Sequence, residues 1–159
     1  MTDQLSTAQE FVEVMGMHFQ SYRMPRIAGR LFGLLLIEGG PFSFSELAER
    51  LQVSRASIST NARTLQALGL IERVAKPGDR QDHYKIDANG LIAMQRQEIQ
   101  KLSEIHRWYR ETAAKLGPTH AGAVQRLEIA ALISEAAVKG MVQGLSGAED
   151  ILAQVGQKD

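Results

Sequence analysis

The run SELAERLQVSRASISTNARTLQALGLIERVAKPGDRQDHYKI, Ser45 to Ile86, leaves a chain very few ways to fold. Leu47, Ala48 and Leu51 recur at helical spacing, and Ser45 is the expected cap of that helix. Gln52-Val53-Ser54 interrupts the pattern, with Val53 plugging the turn and Ser54 offering a hydroxyl to the free amides of a second helix. In this second helix Ile58, Ala62, Leu65 and Leu68 form the inward stripe, and Gly69 ends it. Ser59, Thr60 and Arg63 fall on the opposite side, with Arg55 and Ser57 at the N-terminal end. Ile71 to Lys76 and Asp82 to Asp87 then read as two strands, joined by a tip that begins Pro77-Gly78, the order a type II turn favours. Helix, turn, helix and hairpin in this order lay one helix in a DNA major groove with a loop beside it. Double-stranded DNA is the partner this arrangement predicts.

The flanking sequence is helical. Leu5 to Gln20 reads as a first helix, with Thr7 and Glu10 at capping-box spacing. Pro25 is placed to open a second, which Ile27, Leu31, Leu34, Leu35 and Glu38 carry to Gly39-Gly40-Pro41. Gly29 and Gly33 in that helix suit close helix packing. Phe42-Ser43-Phe44 is short and extended, able to pair weakly with the hairpin. Beyond the hairpin, Ile92, Gln95, Ile99, Leu102, His106, Tyr109, Ala113 and Leu116 make one seam. After Gly117-Pro118, Val124, Leu127, Ala131, Ser134, Val138, Met141 and Leu145 make another. Small residues at Ala131, Ser134 and Ala137 would let two such helices approach closely, and the last few residues read as a loose tail. The expected class is mainly α with a small β-hairpin wing: a winged helix-turn-helix plus a helical dimerisation region. Residues 1–24 are the N-terminal helix, 25–88 the DNA-binding domain and 89–159 the C-terminal dimerisation region.

Net charge is zero, with 18 basic and 18 acidic side chains, so the distribution carries the information. Residues 50–85 hold seven basic side chains against three acidic ones, whereas residues 1–49 hold three against six. A local basic face on a neutral protein lets it leave non-specific DNA easily. The chain has no cysteine, which excludes disulfides and thiolate metal sites and agrees with a cytoplasmic location. MTDQLSTAQEF lacks a signal-peptide pattern, and Leu34-Leu35-Leu36-Ile37 is far too short to span a bilayer.

Specific readout requires side chains that reach base edges and others that hold register on phosphates. Arg55 and Arg63 are the candidates for base contacts, since a guanidinium pairs bidentately with a guanine edge. Ser54, Ser57 and Thr60 are assigned to phosphate positioning, with Ser59 on the same helix. Lys76 and Arg80 are the wing's contributions, and an Arg on a hairpin tip suits a narrow minor groove. Asp79 is expected to brace Arg80 or Arg73 through an ion pair.

PRIAGRLFGLLL (Pro25 to Leu36) followed by the Ser45–Ile86 run resembles the GbsR-type branch of the MarR superfamily. The most specific parts are LQVSRASIS, Leu51 to Ser59, and PGDRQDHY, Pro77 to Tyr84. Asp79 and Arg80 correspond to the wing's aspartate and arginine in MarR-type proteins. The resemblance covers about Met24 to Ile86 and implies a winged-helix repressor, dimeric through its terminal helices and often displaced by a small ligand. Some relatives of that branch respond to choline or betaine, quaternary amines suited to aromatic cages. Trp108 and Tyr109 are the candidate effector residues, although adjacent positions on a helix point about 100° apart.

His18, His83, His106 and His120 have no i, i+4 metal-ligand spacing, so no metal and no cofactor is expected. His106 falls on a seam, as a hydrogen-bonded core histidine would. No GxSxG elbow, phosphate-binding glycine loop or HExxH is present, and no enzymatic role is expected. The competing reading is a winged helix used as a protein-interaction module, since fold does not dictate function. Such modules often lose basic residues at the helix start and wing, and this chain keeps Arg55, Arg63, Lys76 and Arg80.

Overall fold

A computed structural model describes residues 6–155, in the order α1 (Thr7–Ser21), α2 (Arg26–Glu38), β1 (Phe42–Ser43), α3 (Phe44–Leu51), α4 (Arg55–Ala67), β2 (Ile71–Ala75), β3 (Asp82–Ile86), α5 (Ala88–Leu116), a 3-10 turn (Pro118–His120) and α6 (Ala121–Val155). The expected helix start at Leu5 and the loose tail after 155 lie outside the described residues. The chain divides into two units, Met1–Leu91 and Ile92–Asp159.

In the first unit Ser6 caps α1, not Thr7. Its hydroxyl accepts from the Gln9 amide at 3.3 Å while the Gln9 side chain accepts from the Ser6 amide at 2.9 Å. Ser6 has the extended backbone a cap requires, and a glutamine three residues on completes the box as well as a glutamate does. Pro25 is the cap residue of α2, and Arg26 is its first helical residue. The two helices meet through glycines: a β-carbon on Gly29 would lie 2.3 Å from the Met15 carbonyl oxygen and 2.9 Å from the Gly16 α-carbon. Glu13 of α1 pairs with Arg26 and Arg30 of α2, both at 2.7 Å.

Ser43 caps α3 in place of Ser45, because the helix begins as soon as β1 has paired with β3. The Ser43 hydroxyl accepts from the Glu46 amide, and the Glu46 carboxylate accepts from the Ser43 amide at 2.7 Å. Leu47, Ala48 and Leu51 face inward as expected. At the turn Gln52 adopts the left-handed conformation (φ 53°), and Val53 is half-buried. Ile58, Ala62 and Leu65 of α4 are fully buried. Leu68 is not part of that stripe; it caps the helix and is 45% exposed. Gly69, at φ 71°, turns the chain so that Leu70 takes the inward place, its amide bonding the Leu65 carbonyl while Gly69 bonds that of Gln66.

The sheet is antiparallel in the order β1-β3-β2, with Ser43 opposite His83 and Ile71 opposite Ile86. Asp87 starts α5 by accepting from the Gly90 amide at 2.9 Å, and its own amide bonds the Leu70 carbonyl at 3.1 Å. In the second unit, α5 and α6 pack through Ala113, Ala131 and Ser134, with Ile99, Leu102, Tyr109, Leu127, Val138 and Met141 half-buried. Gln95 and Ala137 are exposed instead of lying in the seam. The two seam patterns ignore that a two-helix hairpin buries only a narrow stripe of each helix. His106 is a seam residue: its Nδ1 lies 3.0 Å from the Ala131 carbonyl oxygen.

Candidate nucleic-acid interface

The second helix of the motif, α4, starts at a cap that its own sequence supplies. Ser54 has extended backbone geometry, and its hydroxyl accepts from the Ser57 amide at 3.1 Å. That commitment leaves the amides of the first turn, with Arg55 exposed beside them, at the helix's positive end. Ser57 is half-buried, and its carbonyl accepts from the Asn61 side chain at 2.8 Å. Thr60 is exposed and donates to the Ala56 carbonyl at 3.1 Å. Arg63 is exposed one turn further on, where the Ser59 hydroxyl accepts from its guanidinium at 2.8 Å. Arg55, Ser59, Thr60 and Arg63 thus share a surface that the buried Ile58–Ala62–Leu65 stripe turns outward.

The wing adds Lys76 and Arg80, both exposed on the six residues between β2 and β3. Its first turn is type II: the Asp79 amide bonds the Lys76 carbonyl at 3.1 Å, and Gly78 supplies φ 82°. Asp79 braces neither Arg80 nor Arg73. One carboxylate oxygen accepts from the Gln81 amide at 2.8 Å, and the other lies 3.4 Å from Nε2 of His83. An aspartate two residues before a free amide satisfies that amide more readily than it reaches a flexible guanidinium. Arg73 pairs instead with Asp82 at 3.1 Å, and Lys85 with Glu72 at 3.1 Å.

The seven arginines from Arg26 to Arg80 separate into two groups. Arg26, Arg30, Arg50 and Arg73 pair with Glu13, Glu38 or Asp82. Among the described residues, Arg55, Arg63 and Arg80 make no salt bridge, and neither does Lys76. All four of these cations lie on α4 and the wing.

Sequence reasoning passed over three polar groups around this surface. Asn61 and His83 are buried, 6% and 2% exposed, and Glu46 joins the cap of α3 to the surroundings of His83. The backbone and hydroxyl hydrogen bonds from Ser43 hold the Glu46 carboxyl below its ordinary value, with smaller help from Lys76 and His83. Burial pushes the Tyr84 phenol up; its ring stacks on Phe44 at 4.8 Å. The Asp79–Gln81 spacing was a readable signal of the turn, whereas nothing local marks His83 as buried.

The candidate effector residues lie in the second unit. Trp108 is 58% exposed and Tyr109 half-buried. The close aromatic pairs among the described residues are His18–Tyr22, Phe19–Phe32 and Phe44–Tyr84, so none brings a second ring to Trp108. No group of three or more candidate metal ligands occurs among the described residues. Among the described residues, no helix is long and apolar enough to cross a membrane.

The sequence profile of the MarR family matches residues 24–82. The HTH-type transcriptional regulator MmpR5 of Mycobacterium tuberculosis is 43% identical over 97 residues, 60% of this chain and 59% of that protein. The HTH-type transcriptional repressor OpcR of Bacillus subtilis is 27% identical over 79 residues, 50% of this chain and 43% of that protein. The chain spans about half the length of the curated relatives it matches. A solved structure of a transcriptional regulator is 32% identical, with a TM-score of 0.64, and covers 91% of this chain and 99% of its own.

Proposed function

The chain belongs to the MarR family of transcriptional regulators, and from that premise we propose that it binds DNA sequence-specifically as a homodimer and represses transcription from a pseudo-palindromic operator. The observation that carries this reading is the unneutralised set Arg55, Arg63, Lys76 and Arg80 on α4 and the wing, beside four arginines that are paired. A winged helix kept only for protein contacts has no need to leave those four cations without carboxylates. Arg55 and Arg63 read base edges, Ser54, Ser57, Ser59 and Thr60 set the register on phosphates, and Arg80 enters the minor groove. Repressor is the term attached to OpcR and is proposed here for this chain. The LQVSRASIS and PGDRQDHY motifs support placement in the GbsR-type branch, and a cytoplasmic location follows from the proposed role.

Large apolar side chains left exposed on α1 (Val14, Met17, Tyr22) and α6 (Ile129, Leu132, Ile133, Val142, Ile151) support dimerisation through the terminal helices. A two-fold dimer presents its two α4 helices to successive major-groove faces about 34–36 Å apart. An effector, a quaternary amine by chemical class, is proposed to bind beside Trp108 and Tyr109 and change that spacing. Trp108 fluorescence that stays constant across a panel of such amines would remove this part.

The test is selection of genomic fragments by the purified protein at near-physiological salt with excess competitor DNA. Enrichment of one inverted repeat is the expected result. On that sequence Arg63→Ala is expected to cost about tenfold or more, equivalent to roughly 1–3 kcal/mol for a lost guanine pairing. Arg80→Ala should weaken binding to A·T-rich flanks. No enrichment, together with two folded variants that bind DNA as the parent does, overturns the proposal in favour of the protein-interaction module.

A further inference from the structure

His83 is the most buried polar side chain of the first unit and plays no part in the proposed base or phosphate contacts. It lies in β3, the central strand, opposite Ser43 of β1 and Val74 of β2, neither of them charged. Its Nδ1 is 3.1 Å from the Gln81 carbonyl oxygen, and its Nε2 is 3.4 Å from an Asp79 carboxylate oxygen. Both partners only accept hydrogen bonds. A neutral imidazole carries one N–H and can satisfy one of them; the imidazolium satisfies both. One carboxylate, from the wing tip, therefore faces a ring that is withdrawn from water.

The same Asp79 carboxylate holds the Gln81 amide at 2.8 Å. Arg80 stands between these two residues. A second link runs from the tip to the scaffold, where the Ser45 hydroxyl of α3 meets the Gln81 side chain at 3.4 Å. The tip that carries Arg80 is thus tied down on both sides of the arginine, and the shared anchor is one buried imidazole.

We propose that His83 is the positioning residue of the wing: its two ring nitrogens hold Asp79 and Gln81, and so set where Arg80 points. This rests on the DNA-binding reading for its use, but not for its geometry. Loss of either contact releases one side of the tip and leaves Arg80 free to swing.

Two measurements on the full chain test this. In the free protein, the order of the backbone amides of Gly78, Asp79, Arg80 and Gln81 is followed by NMR relaxation. The tip amides are expected to be ordered in the parent and mobile in His83→Gln. Tip amides equally ordered in both overturn the proposal. In the second measurement, affinity for an A·T-rich duplex of more than two helical turns is read by anisotropy. His83→Gln and Asp79→Asn are each expected to weaken binding about fivefold to tenfold, the scale of one ordinary hydrogen bond. Neither should weaken Arg80→Ala further. An undiminished loss in the Arg80→Ala background overturns the proposal, because His83 would then act elsewhere. Asp79→Asn changes an exposed side chain and decides the question if thermal unfolding shows that His83→Gln does not fold. A parent that binds no DNA while its tip amides lose order in His83→Gln sinks the DNA-binding reading and supports the tie itself.

Discussion

Replacing Gly90 with alanine sets two well-known tendencies against each other. Within a helix, alanine is favoured over glycine by up to about 1 kcal/mol. At position 90, however, an added β-carbon would sit 1.6 Å from the Gly69 carbonyl oxygen, 2.7 Å from its carbonyl carbon and 3.0 Å from an Asp87 carboxylate oxygen. The two closest atoms are not a flexible side-chain end; they are the carbonyl of the backbone that reverses the chain after α4. To restore an ordinary carbon–oxygen separation, the first turn of α5 must withdraw by roughly 1.5–2 Å. That movement breaks the hydrogen bond from the Asp87 amide to the Leu70 carbonyl, at 3.1 Å, and loosens the packing over Leu70 and Ile71. Overpacking costs about 1–3 kcal/mol and the lost bond about 1. Set against the helical gain, the net destabilisation is about 1–3 kcal/mol. For a chain of this length each kcal/mol lowers the melting temperature by about 2–4 °C, so calorimetry is expected to show a fall of about 2–12 °C. A melting temperature equal to the parent's, or above it, refutes the reasoning. It would mean that α5 leaves the winged helix without needing the approach of Gly69 to Gly90.

Three smaller predictions follow from the same geometry. Glu46→Gln keeps a side chain able to complete the cap of α3 but removes the charge that the Ser43 hydrogen bonds stabilise. The folded-state value of Glu46 is depressed, so its contribution is present above the ordinary value of 4.5 and disappears as pH falls through the folded-state value. Urea unfolding should therefore show the variant less stable than the parent by about 0.5 kcal/mol at neutral pH, with the gap closing below about pH 4; a gap unaffected by acid contradicts this. Ile133→Glu, on a side chain 67% exposed on α6, is expected to turn the proposed homodimer into a monomer in sedimentation, since a two-fold axis would repeat the charge in one interface. An unchanged sedimentation coefficient excludes that face. Gly29→Ala should destabilise the α1–α2 pair by about 1–3 kcal/mol, and an unchanged melting temperature would dismiss the close approach at Met15.

The helix-turn-helix was legible because its determinants are local. Leu47, Leu51, Ile58 and Leu65 are spaced within single helices, and Ser54 satisfies an amide three residues away. Errors arose where local rules permit two answers. Ser43 and Ser45 can each cap a helix; pairing of Phe42 with Tyr84, 42 positions along the chain, decides where the strand stops and the helix begins. Leu68 and Leu70 can each fill the last inward place, and the positive φ of Gly69 gives it to Leu70. The approach of Gly69 to Gly90 left no trace in periodicity, because a glycine near a helix start reads only as weak propensity.

At the candidate interface the residue types were readable and their commitments were not. An arginine in a sequence is a charge of unknown occupancy. Arg50 and Arg63 read alike until the fold brings Glu38 to one and only the Ser59 hydroxyl to the other. Asp79 beside Arg80 suggests an ion pair, yet the Asp79 carboxylate is taken up by the Gln81 amide and the His83 ring. His83 itself was hidden by strand alternation, which expects one of two neighbours to face water. Here both neighbours in the central strand are withdrawn from water: His83 and Tyr84 are both buried. The cations left over once every such commitment is made are the ones available to a polyanion. That remainder, which depends on distances between elements far apart in the chain, is what separates a DNA-reading surface from an ordinary charged one.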